Sequence, residues 1–271
     1  MIPIAVSGAC GRMAGQVLRR ALEDKEITVV AAIDAPDNPK IGMDVGEVLG
    51  VGHIGIQLAG ANALGEELQR SNPRFLVEFT NPEATVRNAE TAAANKVGLV
   101  IGTTGLSEVQ TARIKEVIRE NGVVGLISPN FSICVNLLFK MAAEAAKTLK
   151  GYDIEVVEAH HRFKKDAPSG TAKKLAGAIA DAVGRNLDDV AVYGRRGMTG
   201  ERKAGEIGIH SVRAGDIVGD HTIIFATLGE RIEIKHQAHS RDAFAYGCLR
   251  TIKWLAKQKP GIYEMKDVLG L

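Results

Sequence analysis

Five residues able to carry positive charge crowd into six positions, His160, His161, Arg162, Lys164 and Lys165, with Phe163 among them. The run continues Asp166-Ala167-Pro168-Ser169-Gly170-Thr171, where the pattern turns helical. A cation cluster this dense, in a chain with almost no net charge, points to a small anionic partner. At the head of the following helix, the amides of Gly170 and Thr171 and the Thr171 hydroxyl suit a carboxylate. Other chemistries fit less well. Adjacent histidines on a strand point to opposite faces, and no Cys or carboxylate motif lies nearby, so a metal site is not expected. Lys164 as a Schiff-base former would need desolvation or its cationic neighbours to lower its pKa. Ser169 lacks the GxSxG elbow of a nucleophilic serine. The plain alternative is a solvated basic loop, which the strand before it and the helix after it disfavour.

A second group of residues suits binding rather than reaction. Gly8-Ala9-Cys10-Gly11-Arg12-Met13-Ala14 lies between an apolar run and a helical one, where a dinucleotide fold offers backbone N–H groups and a helix N-terminus to a pyrophosphate. The pattern is GxxGxxA rather than GxGxxG, so its context carries the reading. An acid, Asp34, ends the next strand, placed to accept hydrogen bonds from ribose hydroxyls; alternatively it merely opens the turn Asp34-Ala35-Pro36-Asp37-Asn38. A carboxylate there repels a 2′-phosphate and favours NADH, which Arg12 or Lys40 could partly offset for NADPH. Gly102-Thr103-Thr104-Gly105 and Ser128-Pro129-Asn130-Phe131 also follow apolar strands. In open α/β sheets ligands bind at the carboxyl ends of strands, so both loops are expected to face the cofactor.

These loops need elements to hold them. The pattern predicts strands over Ile2–Ser7, Thr28–Ile33, Phe75–Phe79, Val97–Ile101 and Val123–Ile127, and helices over Arg12–Glu23, Pro82–Asn95 and Ser107–Glu120, the last with Ser107 and Gln110 at capping-box spacing. Strands apolar on both faces, alternating with helices, make a doubly wound parallel α/β sheet. The second half reads differently. A helix over Val135–Thr148 precedes strands at Asp153–Glu158, Gly205–Arg213, His221–Thr227 and Arg231–Gln237, interrupted by a helix over Ser169–Val183 and closed by one over Arg241–Ala256. Alternation such as Ile232, Glu233, Ile234, Lys235 marks a sheet with one wet face, hence a smaller α+β domain on a mixed or antiparallel sheet.

Composition narrows the classes. The 271 residues are 45% apolar and 24% charged, which excludes disorder. Lys and Arg number 34 against 32 Asp and Glu, a net +2, and the 7 Phe, 4 Tyr and 1 Trp are too few for base stacking, so no nucleic-acid partner is expected. No apolar run approaches ~18 residues, so no membrane span is expected. Cys10, Cys134 and Cys248 are scattered and odd in number, which reads as reduced thiols in a cytoplasmic protein.

The glycine turn, the Gly102–Gly105 loop and above all Glu158-Ala159-His160-His161 through Gly170-Thr171 resemble the dihydrodipicolinate reductase (4-hydroxy-tetrahydrodipicolinate reductase) family. The likeness extends to Arg213-Ala214-Gly215-Asp216-Ile217-Val218-Gly219 and Met265-Lys266-Asp267-Val268-Leu269. The resemblance implies an enzyme of lysine and diaminopimelate biosynthesis carrying hydride from NAD(P)H to a small cyclic dicarboxylate, without metal. It further implies a Rossmann-like domain over 1–130 and 241–271, a substrate and oligomerisation domain over 131–240, a homotetramer and closure between the domains. By motif match His160 is the proton donor/acceptor and Lys164 the proton donor, with His161, Gly170 and Thr171 as substrate-carboxylate contacts. Gly8, Ala9, Cys10, Gly11, Arg12, Met13, Asp34, Gly102, Thr103, Thr104, Ser128, Pro129, Asn130 and Phe131 are then cofactor contacts. Some members carry Arg after the acid ending strand two, where this chain has Ala35, which points away from NADPH. Two readings stand beside this one: another two-domain Rossmann amino-acid dehydrogenase, and a nicotinamide-nucleotide sensor without catalysis.

Overall fold

The computed structural model describes all residues, Met1–Leu271, in two compact units: Met1–Ser132 with Asp242–Leu271, and Ile133–Arg241.

The first unit is built on a seven-stranded sheet, all of it parallel: β1 (Ile2–Ser7), β2 (Ile27–Asp34), β3 (Leu58–Gly60), β4 (Phe75–Glu78), β5 (Gly98–Ile101), β6 (Val124–Ile127) and, from the end of the chain, β12 (Gly261–Tyr263), in the order β12-β6-β5-β4-β1-β2-β3. Strand side chains alternate between faces. Ile4, Val6, Val77 and Val100 therefore enter one apolar cluster, while Ala5, Leu76, Leu99 and Ile101 enter another on the opposite side. Helices α1 (Arg12–Glu23) and α9 (Asp242–Leu255) cover the first face; α3 (Leu64–Ser71), α4 (Pro82–Ala94) and α5 (Glu108–Asn121) cover the second. The helix starts follow from their residues: Asn81 caps α4 ahead of Pro82, and Ser107 and Gln110 form a complete capping box on α5. Two short helices, α2 (Val45–Leu49) and α10 (Met265–Leu269), complete the unit. The segment between β2 and β3 is organised by one buried carboxylate, Asp44, which accepts from the amides of Gly46, Glu47, Ile54, Gly55 and Ile56.

The second unit carries a five-stranded mixed sheet: β7 (Asp153–His160), β8 (Ala191–Tyr193), β9 (Ile207–Arg213), β10 (Gly219–Thr227) and β11 (Glu230–Ala238), in the order β11-β10-β7-β9-β8. β10 runs antiparallel to β7 and β11, whereas β9 is parallel to β7 and β8. Ile154, Val156, Ile209, Ile223 and Phe225 point to one face, where α6 (Ile133–Thr148) and α7 (Gly170–Ala182) bury them. A short α8 (Leu187–Val190) leads into β8. The fold is thus the doubly wound parallel sheet and smaller mixed-sheet unit that the alternation of elements implies. No helix is long and apolar enough to cross a membrane.

Candidate active site

In the first unit the residues flagged by spacing gather at the carboxyl ends of the strands. Gly8 leaves β1 with φ +78°, a left-handed conformation suited to glycine, and an added Cβ would stand 2.4 Å from the Phe79 carbonyl oxygen. The amides of Gly8 and Ala9 both reach the Ile33 carbonyl, at 2.9 and 3.0 Å, so the turn is stitched to β2. At Gly11 an added Cβ would approach the Gly8 carbonyl oxygen to 2.9 Å. Gly11 caps α1 without a side-chain hydrogen bond, and Arg12 opens a first turn holding no acidic residue. Amides pointing out of a helix start, with no carboxylate competing for them, fit the phosphates of a dinucleotide. Cys10 and Met13 line the same turn.

Asp34 is partly engaged within its own surroundings. One oxygen accepts the Cys10 amide at 2.7 Å, and the other accepts the Ala35 amide at 2.8 Å and the Asn38 side chain at 3.1 Å. It therefore holds the glycine turn and opens its own loop; a carboxylate has about four acceptor positions, which leaves capacity for a ribose.

Gly102 follows β5 with no room for a side chain, since a Cβ would stand 1.9 Å from the Phe79 ring. Thr103 is buried, accepting from the Thr80 amide at 3.1 Å and from Thr85 at 2.7 Å. Thr104 is exposed. Beneath these loops lies Glu78, fully buried and hydrogen-bonded by Thr80, Thr85 and Asn88. Burial pushes its carboxyl above the ordinary range, against the opposing hydroxyl and amide bonds. Ser128 is buried after β6, its hydroxyl donating to the Asn130 carbonyl at 2.8 Å, and Pro129 is exposed. Phe131, expected as a cofactor contact, is 2% exposed as a residue, and its ring packs on Phe79 at 5.9 Å, so apolar burial claims its side chain. Phe79 and Thr80 were not singled out from the sequence, yet they form the wall against which the glycine turn and Gly102 rest. The signal available was position, since they follow β4 as the other loops follow their strands.

The second unit assembles the basic stretch around one carboxylate. β7 extends two residues beyond the expected Glu158 and ends on His160, which places Glu158 and His160 on the same buried side of the strand. Glu158 is fully buried. One of its oxygens accepts His160 Nδ1 at 2.5 Å and Arg213 Nη1 at 2.8 Å; the other accepts Arg213 Nη2 at 2.7 Å and the Ser169 amide at 3.1 Å. Ser169 in turn caps α7, accepting the Ala172 amide at 3.1 Å, and its hydroxyl lies 3.3 Å from His221 Nε2. His160 and the α7 start, with Gly170 and Thr171 in its first turn, are thereby tied to a single anion. Lys164 pairs with Asp166 at 2.8 Å, and its field reaches His160. His161 is half-buried beside Phe163, and its Nδ1 is buried without a partner, a group seeking a hydrogen bond.

The electrostatics follow from this packing. Burial pushes Glu158 up, but Arg213, His160, Ser211 and the Ser169 amide outweigh it and hold the carboxyl at about 2. Burial lowers His160, with Glu158 opposing and Lys164 and Arg213 reinforcing the shift. His221, edge-on to His160 at 5.3 Å, is lowered to about 4 by burial and then by His160. Arg213, His221 and His236 are the residues that sequence reasoning missed. Arg213 stands opposite His160, His221 opposite Glu158, and His236 opposite His221 in the strand register. His221 offered a signal, being a polar residue at an inward position of the otherwise apolar series His221, Ile223, Phe225.

Comparison with known proteins decides the family. The family model described as dihydrodipicolinate reductase, N-terminus, matches residues 2–131, and that described as dihydrodipicolinate reductase, C-terminus, matches residues 134–269. The chain belongs to the dihydrodipicolinate reductase family. It is 51% identical to the 4-hydroxy-tetrahydrodipicolinate reductase of Methanocaldococcus jannaschii, across 100% of this chain and 98% of that one. It is 48% identical to the enzyme of the same name from Methanothermobacter thermautotrophicus, across the whole of both chains. A dipicolinate-bound dihydrodipicolinate reductase from Paenisporosarcina sp. TG-14 shares the fold, with TM-score 0.77 over 97% of each chain at 24% identity.

Proposed function

We propose that this chain catalyses the NAD(P)H-dependent reduction of 4-hydroxy-tetrahydrodipicolinate to tetrahydrodipicolinate in lysine and diaminopimelate biosynthesis. Membership of the family supports the reaction, and the observation that carries it here is that buried Glu158 holds both His160 and the start of the Gly170–Thr171 helix, with Lys164 close enough for its charge to act on His160.

In the net reaction a ring hydroxyl leaves as water and a hydride takes its place, so one proton must be supplied per turnover. Bound reduced nicotinamide supplies the hydride. The amides of Arg12 and Met13 at the α1 start would receive the pyrophosphate, and Gly8, Ala9, Cys10 and Gly11, whose own amides are engaged at Ile33, Asp34 and Gly8, form the turn that it would rest on. Asp34 takes a ribose hydroxyl, and Gly102, Thr103, Thr104, Ser128, Pro129 and Asn130, with the backbone of Phe131, border the cofactor. The first turn of α7 holds one substrate carboxylate through Gly170 and Thr171, with His161 as a further donor. His160 is the proton donor/acceptor: Nδ1 is engaged by Glu158, so the exchangeable proton sits at Nε2. Lys164 is the second proton donor and offsets the substrate's negative charge. NADH is the preferred cofactor, supported by Asp34 and the neutral Ala35 after it. Assembly as a homotetramer is supported by the outermost strand β11, where Ile232 is half-exposed, and by fully exposed Leu228 in the turn before it. A cytoplasmic setting is supported by three free cysteines.

The test is steady-state oxidation of NADH and NADPH, at matched concentrations, with the cyclic hydroxy-dicarboxylate. Saturable oxidation with NADH ahead is expected. NADPH strongly ahead contradicts the reading of Asp34 and Ala35, and cofactor binding without oxidation favours a nucleotide sensor.

A further inference from the structure

We propose that Glu158, clamped by Arg213, is the positioning residue that sets the tautomer and basicity of His160, so that the ring presents its proton-carrying nitrogen, Nε2, to the substrate. The inference rests on the reading of His160 as the proton donor/acceptor.

The geometry leaves Glu158 few other purposes. A carboxylate with no exposed surface is costly unless its acceptor positions are filled by charged or well-aligned donors. Here they are filled by both Nη groups of Arg213, the Ser169 amide and His160 Nδ1. Arg213 is fixed from its other side by the Asp166 carbonyl at 2.6 Å, so the clamp itself is anchored. A carboxylate is an acceptor only, so the neutral ring must carry its hydrogen on Nδ1 and leave the lone pair on Nε2. When the ring takes up a second proton there, the buried negative charge 2.5 Å away stabilises the cation that forms. Beside Nε2 lies Gly219, where an added Cβ would stand 3.1 Å from that nitrogen, so glycine keeps a side chain off the reacting edge.

The charged and titratable groups facing His160 come from every neighbouring element. They are Glu158 on its own strand, Arg213 on β9, His221 on β10, and Lys164 and Asp166 in the loop after β7; His236 on β11 and Asp220 lie one step further, around His221. Among the groups in direct contact with the ring, Glu158 is the one that favours the protonated form. Arg213 and Lys164 oppose it, so removing the Glu158 charge lowers the pKa of His160.

The experiment joins a measurement on the unaltered protein to a short variant series. Nitrogen-15 NMR of the histidine side chains, with His160 assigned by the signals lost in His160→Gln, reads the tautomer directly. Nδ1–H with bare Nε2 in the neutral ring is expected; the opposite tautomer overturns the proposal, whether or not any variant folds. For Glu158→Gln, turnover at neutral pH should fall about 10–100-fold with the KM for the dicarboxylate changed less than about threefold, since positioning acts on proton transfer rather than binding. Protonated His160 being the active form, kcat/KM falls as pH rises through its pKa, and in Glu158→Gln that limb should move at least about one pH unit lower. Glu158→Asp, which keeps the charge, should recover most of the loss. A folded Glu158→Gln protein with unaltered turnover and an unmoved limb overturns the proposal. His160→Ala separates the two failures: if it retains turnover, the role of His160 itself falls, whereas if it alone is impaired, only the role of Glu158 does.

Discussion

The proposed function asks the two units to recognise their ligands by opposite means. In the first, the proposed site is main chain: glycines at 8, 11 and 102 let the loops pack tightly on Phe79 and on one another beside the open α1 start, and the nearest buried carboxyl, Glu78, is pushed toward its neutral form. In the second, the site is a network of ions, with buried Glu158 kept charged by Arg213 and passing its influence to His160 and the α7 start. A surface that only holds a cofactor works with fixed dipoles, which no substrate chemistry disturbs. A surface that moves a proton needs groups whose charge can change, and those must be held by other charges. The contrast separates binding from chemistry along the chain.

The sharpest way to break that contrast is to remove the proton-handling groups. His160→Ala or Lys164→Ala should lower turnover by about 10²–10⁴-fold while NADH affinity, read by fluorescence titration, stays nearly unaltered. Near-normal turnover in the double variant would end the assignment. The converse change is Gly8→Ala. The left-handed backbone costs about 1–2 kcal/mol and the clash with the Phe79 carbonyl about 1–3 kcal/mol more, so the first unit should lose stability in denaturant and bind NADH poorly, with dicarboxylate affinity preserved.

Acid should treat the units differently. His221 has an ordinary pKa near 6.5 when unfolded and about 4 in place. Between those values the unfolded chain takes a proton that the native chain refuses, so stability of the second unit falls as pH falls, by up to about 3 kcal/mol at pH 4. Below about 4.5 the loss continues as Glu158, held at about 2, faces an unfolded carboxylate that protonates first. Glu78 acts in the other sense: its raised pKa makes the native first unit the better proton binder, so acid relieves a burden there. Thermal unfolding followed across pH should show the second unit melting first on acidification, and His221→Gln should flatten that dependence between pH 6.5 and 4. The smallest effect is expected from Asp34→Ala, which should weaken NADH by about 10-fold through one lost hydrogen bond to a charged group and narrow its advantage over NADPH. An unchanged cofactor ratio would show that Asp34 serves only its own turn.

How far the sequence could be read follows the same division. Glycine spacing, strand ends and the Ser107 capping box are local, so β1, α1 and the loops of the first unit were legible from residues a few positions apart. The cluster His160–Thr171 was legible as a charge run, but Arg213, His221 and His236 reach it across β9, β10 and β11, and strand register cannot be read from one sequence. Short elements were also lost: β3, β8 and β12 have three residues each, too few for any period, and α2 has only five, its start fixed by Asp44. The burial of Phe131 was not legible either, since a residue in a loop after a strand can turn its ring into the core.

The most direct test is isotopic. With NADH deuterated at the transferable position and the cyclic hydroxy-dicarboxylate as substrate, one turnover in ordinary water should place deuterium on the product ring and release the hydroxyl as water, and His160→Ala should slow the transfer without abolishing NADH binding. Product bearing no deuterium, or bound NADH left unoxidised by the unaltered protein, would contradict the account.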